Sequence, residues 1–201
     1  MKIEAKQINE WVQKAYKNAV KHGWHEEEKT NAHWLMMACT EVSEAVQADR
    51  KGCYMNDLDK EGLNAVLTKE DAKKSFNKYY SDTIEGKVES ELADVCIRLF
   101  DFMGVRNLEI NSDIYTFDEE VLYLKQQSFT ENAMLVTRNI ITCNIAVTTN
   151  DMLCILLQSV IASIFSWAEA LEIDLVQHIN LKMRYNESRL YRHGNRRYKR
   201  V

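Results

Sequence analysis

Apolar residues recur every three to four positions along most of this chain, which is the spacing that places them on one face of an α-helix. No strand-like alternation persists beyond an ambiguous β-branched stretch at 136–149. The pattern therefore predicts an all-α protein, a helical bundle. The predicted helices cover residues 3–22, 31–51, a short helix from 68 onward, about 87–103, 150–171 and 172–190, with two more that begin near 117 and 129.

Glycines and capping signals mark the predicted helix ends. Gly23, Gly52 and Gly104 each follow an apolar stripe, so we expect them to end the first, second and fourth helices. The segments 116–119 and 128–131 have the spacing of capping boxes, in which the first and last side chains satisfy each other's backbone N–H groups. These boxes predict the helix starts near 117 and 129.

The composition agrees with a single helical domain. The chain has 201 residues, 46% of them hydrophobic, with no proline and only 6 glycines. Such a composition favours long helices with short connections. Residues 53–66 are weakly patterned and 105–115 are expected to form a loop, but no linker or internal repeat divides residues 1–201. We therefore expect one domain around one core.

Charge, cysteines and hydropathy limit the expected partners and location. The net charge of −4 argues against a generic nucleic-acid binder. Five cysteines without a Cys-x-x-Cys pair indicate reduced thiols in a cytoplasmic protein, with Cys39, Cys96 and Cys154 expected in the core. The first residues do not resemble a signal peptide. The longest apolar run, at 152–170, is interrupted by polar residues, which favours a buried helix over a membrane span.

Two pairs of acidic residues carry the candidate chemistry. Glu41 and Glu44 lie three residues apart in the second predicted helix, as do Glu91 and Asp94 in the fourth, so each pair shares one helix face. If the two helices face each other, four carboxylates converge beside the core, where unpaired anions repel and are costly to desolvate. A divalent cation would remove that cost. The alternative interpretation is that these acids lie on a solvated helix edge and bind no metal. The all-oxygen donor set favours Mg²⁺, with Mn²⁺ possible, over zinc.

The last predicted helix offers a basic face far along the chain. Lys182, Asn186 and Arg189 follow at spacings of four and three residues. Arg189 can hold phosphate oxygens through two N–H groups and Lys182 can add a point charge, although an ordinary exposed helix end has the same pattern. Trp24 and Tyr191 lie near the ends of helices, and each either contacts a base or packs. A metal cluster and a cationic face together are what hydrolysis of a nucleoside triphosphate requires.

These residues, in this order, resemble the motifs of the MazG-like all-α nucleoside triphosphate pyrophosphohydrolases, a superfamily that includes dCTP pyrophosphatase and dimeric dUTPases. The segment 21–25 is similar to the loop before the family's first acidic helix. The motifs are Glu41-x-x-Glu44, Glu91-x-x-Asp94 and Lys182-x-x-x-Asn186-x-x-Arg189, continued by Tyr191-x-His193-Gly194.

The resemblance implies a homodimer or larger homo-oligomer that uses Mg²⁺ to cleave a nucleoside triphosphate between its α and β phosphates, giving a monophosphate and pyrophosphate. Two insertions, at about 53–84 and 105–171, depart from the family pattern. They could reshape the pocket, complete the bundle internally or change the oligomer. The implied metal-binding and catalytic residues are Glu41, Glu44, Glu91 and Asp94, and the implied substrate-binding residues are Lys182, Asn186, Arg189, Trp24 and Tyr191.

Other charged residues near the second acidic motif have their own interpretations. Arg98 lies four residues after Asp94 and three before Asp101, which predicts a structural ion-pair ladder or a partner that orients Asp94. Attack of water on a phosphorus atom of the nucleotide requires a general base, and the candidates are the four motif carboxylates and Glu89. The residue types do not decide between them.

Two other functions fit the fold class. A non-catalytic α-helical nucleotide-binding or oligomerisation module would keep the same helices, but the intact acidic quartet argues against it. A carboxylate-bridged di-iron bundle requires Glu-x-x-His pairs, and no histidine lies three residues after a candidate glutamate. We expect neither a nucleic-acid nor a membrane partner.

Overall fold

A computed structural model of the chain describes residues 1–68, 72–145 and 149–191. Those residues are helical apart from loops and one two-residue strand pair, which confirms the all-α class. The strands β1 (Lys2–Ile3) and β2 (Ile114–Tyr115) pair antiparallel. The helical elements are α1 (Ala5–Lys21), α2 (Asn31–Arg50), α3 (Asp57–Leu67), α4 (Ala72–Tyr79), a π-helical turn (Tyr80–Ile84), α5 (Val88–Val105), α6 (Asp118–Lys125), α7 (Phe129–Ile145), α8 (Asn150–Ala170) and α9 (Leu175–Asn186).

Helix α5 lies at the centre of the molecule. Thirteen of its 18 residues are buried, and α1, α2, α8 and α9 all pack against it. Trp11 of α1 stacks on Phe100 of α5 and on Phe165 of α8, with ring centroids 5.7 and 6.3 Å apart. Because aromatic rings bury large apolar areas, this stack joins three helices into one core.

The described part of the segment 53–84 folds into α3, α4 and the π-helical turn. Helix α3 begins with a reciprocal capping box between Asn56 and Asp59, a start that the sequence analysis did not predict. Residues 69–71, where the next helix was expected to open, lie outside the described ranges. These elements share a second, smaller core with α9. That core contains Leu63, Val66, Phe76, Tyr80, Ile84 and Leu181.

The segment 105–171 supplies α6, α7 and α8. Helix α7 packs against α2, α8 packs against α5, and α6 packs against α8. These three helices therefore pack into the same bundle as α2 and α5. The expected loop at 105–115 is present, except that residues 114–115 pair as β2 with the start of the chain.

The capping predictions differ in outcome. Ser128 N donates to Glu131 Oε2 at 2.8 Å, and Glu131 N donates to Ser128 Oγ at 3.3 Å, which confirms that box. The Thr149 hydroxyl accepts from Met152 N and caps α8, which begins at residue 150 as predicted. The box at 116–119 is wrong, because the Thr116 hydroxyl donates instead to Glu169 Oε2 at 2.5 Å and α6 begins without a side-chain cap.

Two of the three predicted glycine stops are confirmed. Gly23 and Gly52 follow α1 and α2 with φ angles of 80° and 65°, a left-handed conformation in which side chains with a Cβ are strained. Gly104 does not end α5, which continues through it. A Cβ at Gly104 would lie 2.5 Å from Tyr16 Cβ, so this glycine permits the close approach of α1 and α5.

Helix α8 is the one helix in the described residues that is long and apolar enough to cross a membrane, with a mean hydropathy of 1.6. Half of that stretch is buried inside the folded chain. Its inward face includes Val160, Ile164 and Trp167. The sequence analysis expected a buried helix here, and this face packs in the core.

All five cysteines are free thiols. Cys39 and Cys96 are buried, as predicted, whereas Cys154 is only partly buried and Cys143 takes the core position instead. Burial raises the pKa of the Cys143 thiol to about 11. Such a thiol is protonated at neutral pH and is chemically inert.

Candidate metal centre

The packing of α2 against α5 brings three of the four predicted carboxylates together. One carboxylate oxygen from each of Glu41, Glu91 and Asp94 lies within 4.8 Å of the other two. Glu41 and Glu91 are 6% and 5% exposed, and Asp94 is partly exposed. The predicted convergence is therefore present within a single chain. We call Glu41, Glu91 and Asp94 the acidic triad.

Glu44 lies at the edge of this cluster. It is exposed and is not one of the three closely spaced carboxylates, although it lines the same cavity. After burial and nearer charges, the Glu44 charge contributes to raising the pKa values of Glu41 and Glu91. Glu44 is therefore close enough to act on the triad without joining it.

Lys182 of α9 faces the triad and is 2% exposed. Its Nζ lies 2.7 Å from Asp94 Oδ2 and donates to Ser90 Oγ at 3.2 Å. Burial by itself lowers the pKa of Lys182, but Asp94, Tyr80 and Glu91 together raise it above its usual value. The residue predicted to bind phosphate is thus a buried, charged partner of the acidic triad.

Arg98 forms a different ion pair from the one predicted. Its Nε donates to Glu41 Oε1 at 2.8 Å, so it bridges from α5 to α2. Asp101 instead pairs with His25 Nε2 at 2.8 Å. The ladder along α5 is wrong because the facing helix supplies a closer carboxylate than Arg98's own helix does.

Burial and neighbouring charges raise the pKa values of two carboxyl groups of the triad. Burial first, and then the nearby charge of Asp94, raise the pKa of Glu91 to about 7, although Lys182 opposes this. Burial also raises the pKa of Glu41, which the charge of Arg98 opposes. Three carboxyl groups thus face only one ammonium and one guanidinium, and the two glutamates bind protons more tightly than usual.

The donor set fits a hard divalent cation. All three triad groups are carboxylates, which are ligands that Mg²⁺ and Mn²⁺ prefer. In octahedral Mg²⁺ coordination, neighbouring ligands stand roughly 3 Å apart and opposite ligands roughly 4.2 Å apart, since each bond is about 2.1 Å. The triad oxygens lie within 4.8 Å of one another, so they would draw closer together around such an ion.

The triad lines a cavity of about 500 Å³ between α1, α2, α5 and α9. This volume is within the range of small-molecule sites, roughly 300–1,000 Å³. Trp24, which is 38% exposed, lines the cavity and so is not a core plug. Asn18 of α1 and His22, which directly follows that helix, line it as well, and neither was predicted to do so.

Asn186 and Arg189 also reach the cavity, but not from one continuous helix. Helix α9 ends at Asn186, so the predicted end near residue 190 is wrong, and Arg189 lies in the following turn. Arg189 Nη2 pairs with Glu85 Oε1 at 2.6 Å, and Tyr185 donates to Glu85 Oε2 at 2.9 Å. Glu85 is a wall residue that the sequence analysis missed, because it precedes α5 and belongs to no motif.

Histidine 22 connects the two ends of the chain at this cavity. It is 5% exposed, and its ring nitrogens lie 2.7 Å from the Asn18 carbonyl and 2.8 Å from the Arg189 carbonyl. The ring, which donates to at least one of these two carbonyl oxygens, thereby links the segment after α9 to the end of α1. The position of His22 just before Gly23 is the only sequence signal for this role.

Two predicted site residues are not on the cavity wall. Tyr191 lies over Gly23, where an added Cβ would stand 2.5 Å from its Cζ, so it packs on the loop beside Trp24. Glu89, a candidate base, accepts from Met55 N at 2.9 Å, away from the triad. Residues 89 and 91 point to different sides of α5 because they are two positions apart. The motif residues His193 and Gly194 lie outside the described ranges.

Comparison with known protein families, with curated proteins and with solved structures finds no match to this chain. The MazG-like resemblance therefore stays a prediction from the motifs. The fold class and the geometry of the site follow from the structure of this chain alone.

Proposed function

We propose that this chain is a Mg²⁺-dependent, MazG-like nucleotide pyrophosphohydrolase that converts a nucleoside triphosphate and water into a nucleoside monophosphate and pyrophosphate. One observation carries the proposal. Three carboxylates from two facing helices lie within 4.8 Å of one another, opposite the buried ammonium of Lys182, on the wall of a cavity of about 500 Å³.

Glu41, Glu91 and Asp94 are the residues that would hold the metal, and Glu44 at the rim would add a fourth carboxylate. When bound, Mg²⁺ supplies positive charge that polarises phosphoryl oxygens and makes water more acidic. Arg98 positions Glu41 through its 2.8 Å ion pair. A carboxylate of this cluster accepts the proton that the attacking water loses.

Lys182 and Arg189 are the cations that would stabilise the triphosphate. Each is paired with a carboxylate, Lys182 with Asp94 and Arg189 with Glu85. Substrate phosphates can exchange for these carboxylates, because a guanidinium and an ammonium bind both kinds of oxyanion. The charge that builds up on the leaving pyrophosphate is then stabilised by groups already in place.

The test is a panel of ribo- and deoxyribonucleoside triphosphates with Mg²⁺. Phosphate is measured with and without added inorganic pyrophosphatase, so that release of pyrophosphate is distinguished from release of single phosphates. We expect at least one nucleotide to give pyrophosphate. Asp94→Asn should lower the rate roughly 100-fold or more, because such a cation contributes several kcal/mol to catalysis.

The matched control is Asp118→Asn, which removes an exposed carboxylate in α6 far along the chain from the triad. It should keep the wild-type rate. Absence of turnover with every nucleotide from folded protein would contradict the proposal. Calorimetric binding of the same nucleotides without turnover would favour the non-catalytic module instead.

A further inference from the structure

The ammonium of Lys182 is held by neutral groups as well as by the acidic triad. Its Nζ donates to Ser90 Oγ at 3.2 Å, and it lies 5.7 Å from the centre of the Tyr80 ring and 5.9 Å from that of Tyr185. A cation within about 6 Å of the centre of an aromatic ring is attracted by the ring. These contacts come in addition to the 2.7 Å ion pair with Asp94.

Tyr80 joins the neutral contacts to one another. Its hydroxyl donates to Ser90 Oγ at 3.2 Å, and its ring stacks on that of Tyr185 with centroids 4.7 Å apart. Tyr80 is fully buried in the second core, where the Phe76 ring packs against it. A hydroxyl oxygen has two lone pairs, so Ser90 Oγ accepts from Tyr80 and from Lys182 at the same time.

Tyr80 and Ser90 act on the cavity from behind its wall. Among the described residues, Lys182 lines the cavity, whereas Tyr80 and Ser90 do not. They can therefore influence a ligand there only through a neighbour, and the neighbour that both contact is Lys182. Neither residue belongs to a motif, and Tyr80 comes from the segment 53–84 that departs from the family pattern.

The neutral contacts matter because the charged contact of Lys182 has to change. The proposed function requires Asp94 to hold a metal ion and requires phosphate oxygens to replace Asp94 as partners of the ammonium. A lysine head group on its flexible four-carbon stem would then be free to move. Ser90 and the two tyrosine rings carry no charge, so they can hold the ammonium whatever occupies the triad.

We propose that Tyr80 and Ser90 are positioning residues that keep the Lys182 ammonium at the cavity wall, where phosphate oxygens bind, while its ion pair with Asp94 is exchanged. The identity of the ligand rests on the proposed function. A cation that is already in place needs no reorganisation when charge develops on the leaving group. The inserted segment 53–84 thereby acquires a role in the site, since it supplies Tyr80.

The first experiment observes the ammonium itself. The side-chain N–H signal of Lys182 is recorded by ¹H–¹⁵N NMR of the full chain in EDTA at mildly acidic pH, and it is assigned by its absence from Lys182→Arg. Tyr80→Phe keeps the ring and removes the hydroxyl, and Ser90→Ala removes the acceptor. Each should speed exchange of this signal with water roughly fivefold or more, the factor that one hydrogen bond usually contributes.

The second experiment measures the affinity for inorganic pyrophosphate with Mg²⁺ by calorimetry, on variants whose circular dichroism matches that of wild type. Tyr80→Phe and Ser90→Ala should each weaken binding roughly 3- to 10-fold, because each removes one hydrogen bond that holds the ammonium. The double variant should bind no more weakly than Ser90→Ala alone, because the Tyr80 hydroxyl acts through the Ser90 oxygen.

The matched control is Tyr79→Phe. It removes the neighbouring hydroxyl, which donates to the Asp59 carbonyl at 3.0 Å, and it should behave as wild type in both experiments. Equal losses in Tyr79→Phe would show that the whole inserted segment has loosened and would overturn the positioning role. If Tyr80→Phe does not fold, Ser90→Ala decides.

Unchanged exchange of the Lys182 signal, or unchanged affinity for pyrophosphate, in both Tyr80→Phe and Ser90→Ala would also overturn it. Nucleotide hydrolysis by wild type, with neither variant affecting the signal or the affinity, would remove the positioning role and leave the proposed enzyme standing. Faster exchange and weaker pyrophosphate binding, in a protein that hydrolyses no nucleotide, would do the reverse.

Discussion

Lys182 is the residue on which the charge balance of the metal-free site depends. Replacing it with Met leaves Asp94 and Glu91 without their buried ammonium. Removing one partner of a buried ion pair costs roughly 3–5 kcal/mol, so we expect Lys182→Met to lower the free energy of unfolding by about that amount in EDTA. Mg²⁺ should restore part of it, since a cation that binds only the folded state stabilises that state.

Urea unfolding with EDTA and with Mg²⁺ measures both effects. The control is Lys125→Met, which removes an exposed ammonium whose Nζ lies 3.8 Å from Glu172 Oε1. Such surface pairs contribute about 0–1 kcal/mol. A Lys182→Met protein as stable as wild type in EDTA would contradict this account of the site.

The raised pKa of Glu91 predicts how the stability of the metal-free protein depends on pH. Its pKa is raised from 4.5 to about 7 in the folded state, so the folded protein binds this proton more tightly than the unfolded chain does. The stability that comes from this proton is complete below about pH 4.5 and is lost as pH rises through about 7. The loss is on the order of 3 kcal/mol, at about 1.4 kcal/mol per pKa unit.

Thermal unfolding in EDTA between mildly acidic and mildly alkaline pH tests this dependence. Wild type should lose stability as pH rises, whereas Glu91→Gln, which cannot ionise, should show a much flatter profile. Excess Mg²⁺ should remove most of the loss. The same slope in both proteins would show that Glu91 does not titrate in this range.

At the residue scale, local spacing predicted part of the site. The acidic pairs were visible because residues three apart share a helix face, whichever fold surrounds them. The pairing of Arg98 with Glu41 was not visible, because it depends on which helix lies opposite. Asn18 belongs to no motif and enters the site only through the packing of α1.

At the element scale, Gly104 shows how packing overrides helix propensity. In an exposed helix, Gly→Ala is favourable by about 1 kcal/mol. Here the Ala Cβ would lie 2.5 Å from Tyr16 Cβ, so α1 and α5 must move apart. We expect Gly104→Ala to destabilise the protein by about 1–3 kcal/mol, the usual cost of overpacking.

A double-mutant cycle with Tyr16→Gly, which removes the clashing Cβ together with the ring, isolates this contact, because contacting residues show non-additive effects. Gly104→Ala should cost much less when Tyr16 is already truncated. Denaturant unfolding of the four proteins gives the interaction energy. A stabilising Gly104→Ala in the wild-type background would mean that the helices are not in close contact there.

Helix α3 shows what a sequence pattern can miss. Its start is an Asn56–Asp59 capping box, less familiar than the Ser-x-x-Glu box that correctly marked α7. Its buried face contributes few residues, among them Leu63 and Val66. The apolar stripe of α3 therefore has too few residues to predict a helix from the sequence. Its buried side chains pack in a core that also contains Leu181 of α9.

At the scale of the whole molecule, α7 and α8 fill the positions beside α2 and α5 from within the same chain. All residues of the acidic triad, together with Lys182, belong to that one chain. The homo-oligomer expected from the family resemblance stays a prediction. Because these residues belong to one chain, we expect the proposed activity not to depend on oligomerisation.

Diluting the protein tests whether the activity depends on oligomerisation. Turnover per chain should stay constant from micromolar to nanomolar protein, even where light scattering shows that an oligomer dissociates. The most active nucleotide from the substrate panel serves as the probe. A fall in turnover per chain that follows dissociation would show that a second copy contributes to the site.

The sequence by itself determined the helical class, most helix positions and the two acidic pairs, because these depend on periodicity and on spacing within a single helix. Only the tertiary structure decided that Glu41 meets Glu91 and Asp94, that Lys182 is buried against them, and that Asn18 and Asn186 share a cavity. Those relations join residues distant along the chain. They follow from which helix faces pack together, and no local pattern encodes that.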